Sequence, residues 1–328
     1  MAINPAKQQV SQSNRTVIEW LLDADPAIRW QVMQDLTSTS AAAVAAERAR
    51  VATEGWGAQL LARQGADGRW SGAAWNRGWN STMHVLMLLR DLGLDPASAQ
   101  AKQAVGLVRD HVTWRECGPS ECDNNGFFAG ELEPCINGQV GAAGAYFGQD
   151  VQSIIDRLLT EQLPDGGWNC EAMNGSTRSS FNTTICVLEA LLEYDLHCGS
   201  RPAVTEARLR GQEYLLERRL FRRKSTGAVI EHDRKGNAMW TNFAFPTWWH
   251  YDVLWGLEYL RRAGVAPDER VAEAIDLVIA KRDDDGRWPL EVQYPGVMPV
   301  AMDEGEGRPS RWITLRALRV LAWYAAHG

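Results

Sequence analysis

No stretch of this 328-residue chain approaches the roughly 18 uncharged apolar residues that a membrane-spanning helix needs. A basic excess is missing too: 34 Lys and Arg stand against 41 Asp and Glu, a net charge of −7. That balance excludes a nucleic-acid binder that works by neutralising phosphates. Residues 1–13 are polar and lack the apolar stretch of a secretory signal, so a flexible lead-in and a cytoplasmic protein are expected. Six cysteines are too few at this length for a disulfide scaffold and are read as reduced thiols. Segments with strand periodicity, linkers and low-complexity tracts are absent as well. A hydrophobic fraction of 45% nevertheless demands a packed core and excludes a disordered chain. What the chain has in abundance is 15 Trp and 29 Gly.

The Trp residues expose an internal repeat. Gln64-Gly-Ala-Asp67-Gly68-Arg-Trp70, Gln162-Leu-Pro-Asp165-Gly166-Gly-Trp168 and Arg282-Asp-Asp-Asp285-Gly286-Arg-Trp288 share Asp-Gly-x-Trp at identical offsets. Asp-Gly predicts a tight turn at a helix end, where Gly accepts positive φ. The Trp then buries its ring beneath the turn, with its N–H free to bond a carbonyl. Each copy lies between an amphipathic stretch and one that is apolar nearly all round.

Extending the repeat predicts six helix pairs. The amphipathic members cover Asn14–Ala24, Ala41–Arg63, Ala97–Trp114, Val151–Glu161, Val204–Phe221 and Asp268–Lys281. The apolar members cover Pro26–Leu36, Asn80–Leu92, Cys135–Phe147, Thr183–Tyr194, Pro246–Arg262 and Pro309–Ala326. A helix apolar all round is buried on every side, and a one-sided helix covers it. Gly138, Gly141 and Gly144, three apart, allow neighbouring backbones to approach. The expectation is one all-α domain over residues 1–328, an (α/α)6 toroid of six inner and six outer helices.

On these repeats the chain resembles the squalene cyclase and protein prenyltransferase β-subunit superfamily, whose terpenoid cyclase-like toroids carry QW repeats. The resemblance implies a central, usually greasy cavity lined by the N-terminal ends of the inner helices and the loops entering them. Those ends here carry Trp79 to His84, Glu131-Leu-Glu133-Pro-Cys135, Phe181-Asn182-Thr183, Trp248-Trp249-His250-Tyr251-Asp252 and Arg311-Trp312. Ser81, Thr183 and Ser310 are equally suited to capping helices.

The family chemistries select among these residues. An alkene-protonating cyclase uses an Asp-x-Asp-Asp motif, and none is present; Asp283, Asp284 and Asp285 belong to a turn. The diphosphate-ionising Asp-Asp-x-x-Asp is also absent, and one toroid is about half of a squalene–hopene cyclase. Prenyltransferase β subunits hold zinc with Asp-x-Cys at one inner helix and His at the next. Glu133-Pro134-Cys135 resembles the first element. Phe181-Asn182-Thr183-Thr184 resembles the second, with Asn where the family has His, and Asn is a poor zinc ligand. Cys170 is the substitute ligand expected, with Cys122 and His250 as further candidates. His197-Cys198-Gly199 reverses the Cys-His-Gly of lanthionine cyclases and is set aside.

Two readings follow. In the first, an enzyme holds a hydrophobic, isoprenoid-like substrate and possible zinc. Glu133, Cys135 and Cys170 bind the metal, and His250, Asp252 and Glu133 carry catalysis. Trp79, Phe181, Asn182, Trp248, Trp249, Arg311 and Trp312 line the substrate, with Arg311 on an anion. In the second, the toroid binds a ligand or a protein without chemistry.

Overall fold

The computed structural model describes residues 16–114, 124–230, 240–302 and 305–327. Cys122 lies outside them. Among the described residues there is no strand, only isolated bridges between loops.

Helices alternate between two layers. The inner ones are α2 (Pro26–Asp35), α5 (Thr82–Asp91), α7 (Pro134–Tyr146), α9 (Phe181–His197), α11 (Val253–Arg262) and α13 (Arg311–Ala325). The outer ones are α1 (16–22), α3 (Ala41–Ala49) with α4 (Gly55–Leu61), α6 (Ala99–His111), α8 (Gln152–Thr160), α10 (Pro202–Leu216) and α12 (Glu269–Ala280). Outer helices bury a single stripe, such as Ile154, Ile155 and Leu158 of α8. Thirteen of the fourteen positions of α9 from Phe181 to Tyr194, all but Asn182, are buried. That is the division into one-sided and surrounded helices that apolar periodicity implies.

The inner helices close a ring. α5 packs on α7, α7 on α9, α11 on α13, and α13 returns to α2. Side-chain bonds join the remaining neighbours: Trp30 Nε1 donates to the Leu92 carbonyl at 2.9 Å, and Trp255 Nε1 to Glu189 at 3.0 Å. The result is an all-α (α/α)6 toroid.

The Asp-Gly-x-Trp copies act alike. Trp70, Trp168 and Trp288 are buried, and each indole N–H donates at 2.7 Å to the carbonyl ten residues earlier, on the preceding outer helix. Each Trp amide also donates to a threonine of the following inner helix: Thr82, Thr184 or Thr314. Each repeat thus ties an outer helix to its inner partner. Asp283, Asp284 and Asp285 are exposed in the third turn.

Two expected boundaries move. The stretch Ala41–Arg63 is two helices, broken where Gly55 takes φ +62° and lets Asp25 accept the Trp56 amide at 2.8 Å. The inner helix expected from Pro246 begins only at Val253. Asp252 is its N-cap, and residues 246–252 are irregular, with Trp248 at φ +53°. Four consecutive bulky rings, 248–251, have poor helix propensity, and a capping Asp ends the contest.

Candidate functional site

The inner helices present their N-termini to one mouth of the ring, where a cavity of about 510 Å³ opens. Trp75, Trp79, Trp249, Met83 and Ile136 form its apolar walls. Glu133, Cys135 and Cys170 stand together on another wall, with one ligand atom of each within 4.8 Å of the others. Local structure explains the cluster. Glu133 is the N-cap of α7, Pro134 opens that helix, and Cys135 follows on its first turn. Cys170 begins a 3-10 turn after the second repeat, and Thr183 of α9 holds it by accepting the Cys170 amide at 3.4 Å.

Cys135 Sγ lies 2.8 Å from Cys170 Sγ and 3.7 Å from Glu133 Oε2. The bond to Cys170, helped by burial, holds the Cys135 thiol well above its ordinary range. Donation from Cys135, and from the Thr183 hydroxyl, pulls Cys170 below its ordinary range against burial. The two sulfurs therefore share one hydrogen bond, with Cys170 the more acidic of the pair. Sulfur and carboxylate are donors that zinc accepts, and three protein ligands leave a fourth position open. A tetrahedral ion with bonds of about 2.3 Å would spread the two sulfurs to about 3.8 Å. The residues fit the ion with a small outward shift.

Glu131 supports the cluster from behind. Its buried carboxylate accepts the Glu133 amide at 2.6 Å, and Asn137 exchanges two 2.8 Å bonds with the Glu131 backbone. Burial raises the Glu131 pKa to about 7. This group was not among the expected site residues, although it shares their motif.

An aromatic stack lies beside the cavity. Trp79, before α5, stacks on Trp248, before α11, with centroids 5.1 Å apart. α5 and α11 stand opposite each other in the ring, so the stack crosses its centre. The His84 ring meets both indoles edge-on; burial pushes its pKa down to about 3. His250 is sandwiched between Trp249 at 3.7 Å and Tyr294 at 3.6 Å. Burial lowers its pKa to about 4, and its Nδ1 has no partner among the described residues.

Six of the expected site residues line the mouth cavity: Glu133, Cys135, Cys170, Trp79, Asn182 and Trp249. The others go elsewhere. Asp252 accepts the Trp255 amide at 2.7 Å and the Ala244 amide at 3.1 Å, so both oxygens serve the start of α11. Burial raises its pKa to about 6. Phe181 is buried against Trp240, Tyr251 and Tyr214. Arg311 turns outward over Trp20, 4.7 Å from the ring centroid. Trp312 stacks on Phe245 and faces the lumen. Asn182 gives its Oδ1 to the Tyr251 amide at 2.8 Å. Ser180 caps α9 and Ser310 caps α13, while the Ser81 hydroxyl goes to His84 Nδ1.

Lining residues absent from the expectation include Trp75 and Gln139, while Met83 and Thr183 lay within the expected rim without an assigned role. Gln139 was findable: it lies one turn beyond Cys135 on an otherwise apolar helix, at the spacing that shares a face. It bonds Cys186 Sγ at 3.3 Å and the Trp248 carbonyl at 3.4 Å.

The lumen itself is not greasy. The inner helices carry charges on their C-terminal halves. Arg262 pairs with Glu189 at 2.6 Å and with Glu193, Arg319 with Asp35 at 2.5 Å, and Arg261 with Glu258 at 2.9 Å. The aromatic cavity at the N-terminal ends of the inner helices is thus separate from an ionic lumen at their C-terminal halves.

No family model matches the chain, and no curated protein matches it. Among solved structures it is similar to a type II terpene cyclase from Scytonema, with 17% identity over 100% of both chains and a TM-score of 0.48. The same cyclase in complex with geranylgeranyl dihydroxybenzoate gives 16% identity, 100% coverage of both chains and a TM-score of 0.47. A protein from Actinoplanes gives 15% identity over 96% of this chain and 99% of its own, with a TM-score of 0.47. Terpene cyclases are thus among the structures whose fold this chain resembles.

Proposed function

We propose that this protein is an enzyme that handles a hydrophobic, isoprenoid-like small molecule in the mouth cavity, with zinc on Glu133, Cys135 and Cys170. The observation carrying this reading is that a carboxylate and two sulfurs converge on a cavity whose other walls are indoles and aliphatic side chains. Its volume of about 510 Å³ lies in the ordinary range for small-molecule sites. When bound, the ion supplies Lewis acidity and an open coordination position. The chain's own groups do the rest. Thr183 and Cys135 hold Cys170 in place and lower its pKa, and Glu131 fixes the Glu133 backbone. The faces of Trp79 and Trp249 exclude water and stabilise positive charge by roughly 0.5–2 kcal/mol each. His250, neutral near pH 7, is a base rather than an acid.

The test is elemental analysis combined with ligand binding. Purified protein should carry close to one equivalent of zinc. Cys135→Ser and Cys170→Ser should each remove most of it without unfolding the ring. Geranylgeraniol should quench Trp fluorescence, and Trp249→Ala should weaken its binding about tenfold. Protein that cannot be loaded with zinc ends the metal reading. Binding without any turnover returns the protein to a non-catalytic ligand-binding toroid.

A further inference from the structure

The lumen is a second cavity, of about 400 Å³, lined by all six inner helices and sharing no residue with the mouth cavity. Six guanidinium groups face five carboxylates across it. One unit of positive charge is therefore left over, and it is not spread evenly. Glu189, Glu193 and Glu258 are each held in close ion pairs from α11.

One face of α13 keeps donors in reserve, although the terminal nitrogens of Arg319 reach Asp35 at 2.5 Å and Glu258 at 3.5 Å. Trp312, Arg316 and Arg319 stand at i, i+4 and i+7, the spacing that stacks side chains on one side of a helix. All three line the lumen, and α13 carries no carboxylate of its own. The Trp312 indole N–H is buried without an acceptor among the described residues, and so is Arg319 Nε. Trp312 is only 2% exposed and Arg319 8%. Arg316 has only a long ion pair, 3.7 Å to Asp91, and otherwise stacks over Phe245. Buried donors left unpaired are costly, and two on one stripe mark a place where an acceptor belongs. Planar guanidinium forks match carboxylate and phosphate oxygens.

We propose that the lumen is a second binding site, in which Trp312 Nε1, Arg316 and Arg319 Nε take the oxyanion group of a small ligand. A carboxylate and a phosphate share the required chemistry. The site is independent of the mouth cavity and of any metal there. It also differs from the anion role expected for Arg311, whose guanidinium lies outside the lumen over Trp20.

Isothermal titration calorimetry with inorganic phosphate and with acetate, at constant ionic strength, tests it on the full chain. Saturable one-site binding of either probe is expected, and the probe preferred identifies the class of anion. Trp312→Phe keeps an aromatic ring beside Phe245 and removes the N–H together with part of the indole's volume; it should weaken binding about tenfold. Arg316→Gln should weaken it tenfold or more, and Arg311→Gln should leave it unchanged. Thermal melts of the three variants separate lost binding from lost folding. Absence of saturable binding to the wild type overturns the proposal. So does binding that survives both Trp312→Phe and Arg316→Gln, or that depends on Arg311.

Discussion

Single residues carry the fold's most repetitive device. Trp168 is fully buried, its N–H reaches back to α8, and its amide reaches forward to α9. Replacing it by Ala opens a cavity and orphans the Leu158 carbonyl; the cost should be roughly 3–5 kcal/mol in urea unfolding. An unchanged midpoint would mean the ring is not a staple. This much was legible in the sequence because the turn, the ring and its acceptor lie within ten residues. The role of His250 was not, since its second ring partner, Tyr294, comes from a distant loop. His250 offers a pH test. Its folded pKa of about 4 lies below the ordinary 6.5, so the unfolded chain takes up the proton first as pH falls. The stability held above pH 6.5 is lost between 6.5 and 4. His250→Phe keeps the stack between Trp249 and Tyr294 but cannot titrate. Relative to the wild type it should gain about 2 kcal/mol between pH 7.5 and pH 5, followed by melts at both pH values. A constant difference would mean that the ring is solvated in the folded state.

At the scale of helices, the pairing of α7 with α9 sets the position of the thiols. Cys135 stands at the start of α7, and Thr183, which holds Cys170, at the start of α9. Gly138 lets the two backbones meet: a Cβ there would lie 2.5 Å from the Cys186 carbonyl carbon. Backbone cannot yield as a side chain can, so Gly138→Ala should push the helices apart. A loss of roughly 1–3 kcal/mol is expected, with weaker zinc retention because Cys135 and Cys170 separate. Unfolding curves and metal content together check this; full stability would mean that the helices slide freely. The three-residue spacing of the glycines made this contact readable. The late start of α11 was not readable by the same means. Residues 246–252 have the composition of a helix start with Pro at its head, and only the cap bond from Trp255 to Asp252 reveals that the helix begins later.

Over the whole ring, the inner helices look apolar when each is read alone, and the charges among them look like interruptions. Arg90, Glu189, Glu193, Glu258, Arg262, Arg316 and Arg319 belong to four helices, and each finds a partner on another helix of the ring. Periodicity along one helix cannot show such partners, which is why the ionic lumen formed by their C-terminal halves was not legible. The network makes a prediction that belongs to no single helix. Arg262 of α11 joins Glu189 and Glu193 of α9, whose carboxylates are almost fully buried. Those two helices are held together largely by side-chain contacts. Arg262→Met keeps the packing volume but leaves two buried carboxylates short of their main counter-charge. The penalty for an unpaired buried charge is about 3–5 kcal/mol, far above the median for a surface ion pair. Urea unfolding of Arg262→Met should show that loss, and it should change little with added salt, because buried pairs are poorly screened. The triple variant with Glu189→Gln and Glu193→Gln removes the stranded charges as well and should recover most of the stability. If the single variant lost less than about 1 kcal/mol, or if the triple variant were worse than the single, the network would be a solvated rim, and α9 and α11 would be joined by packing alone.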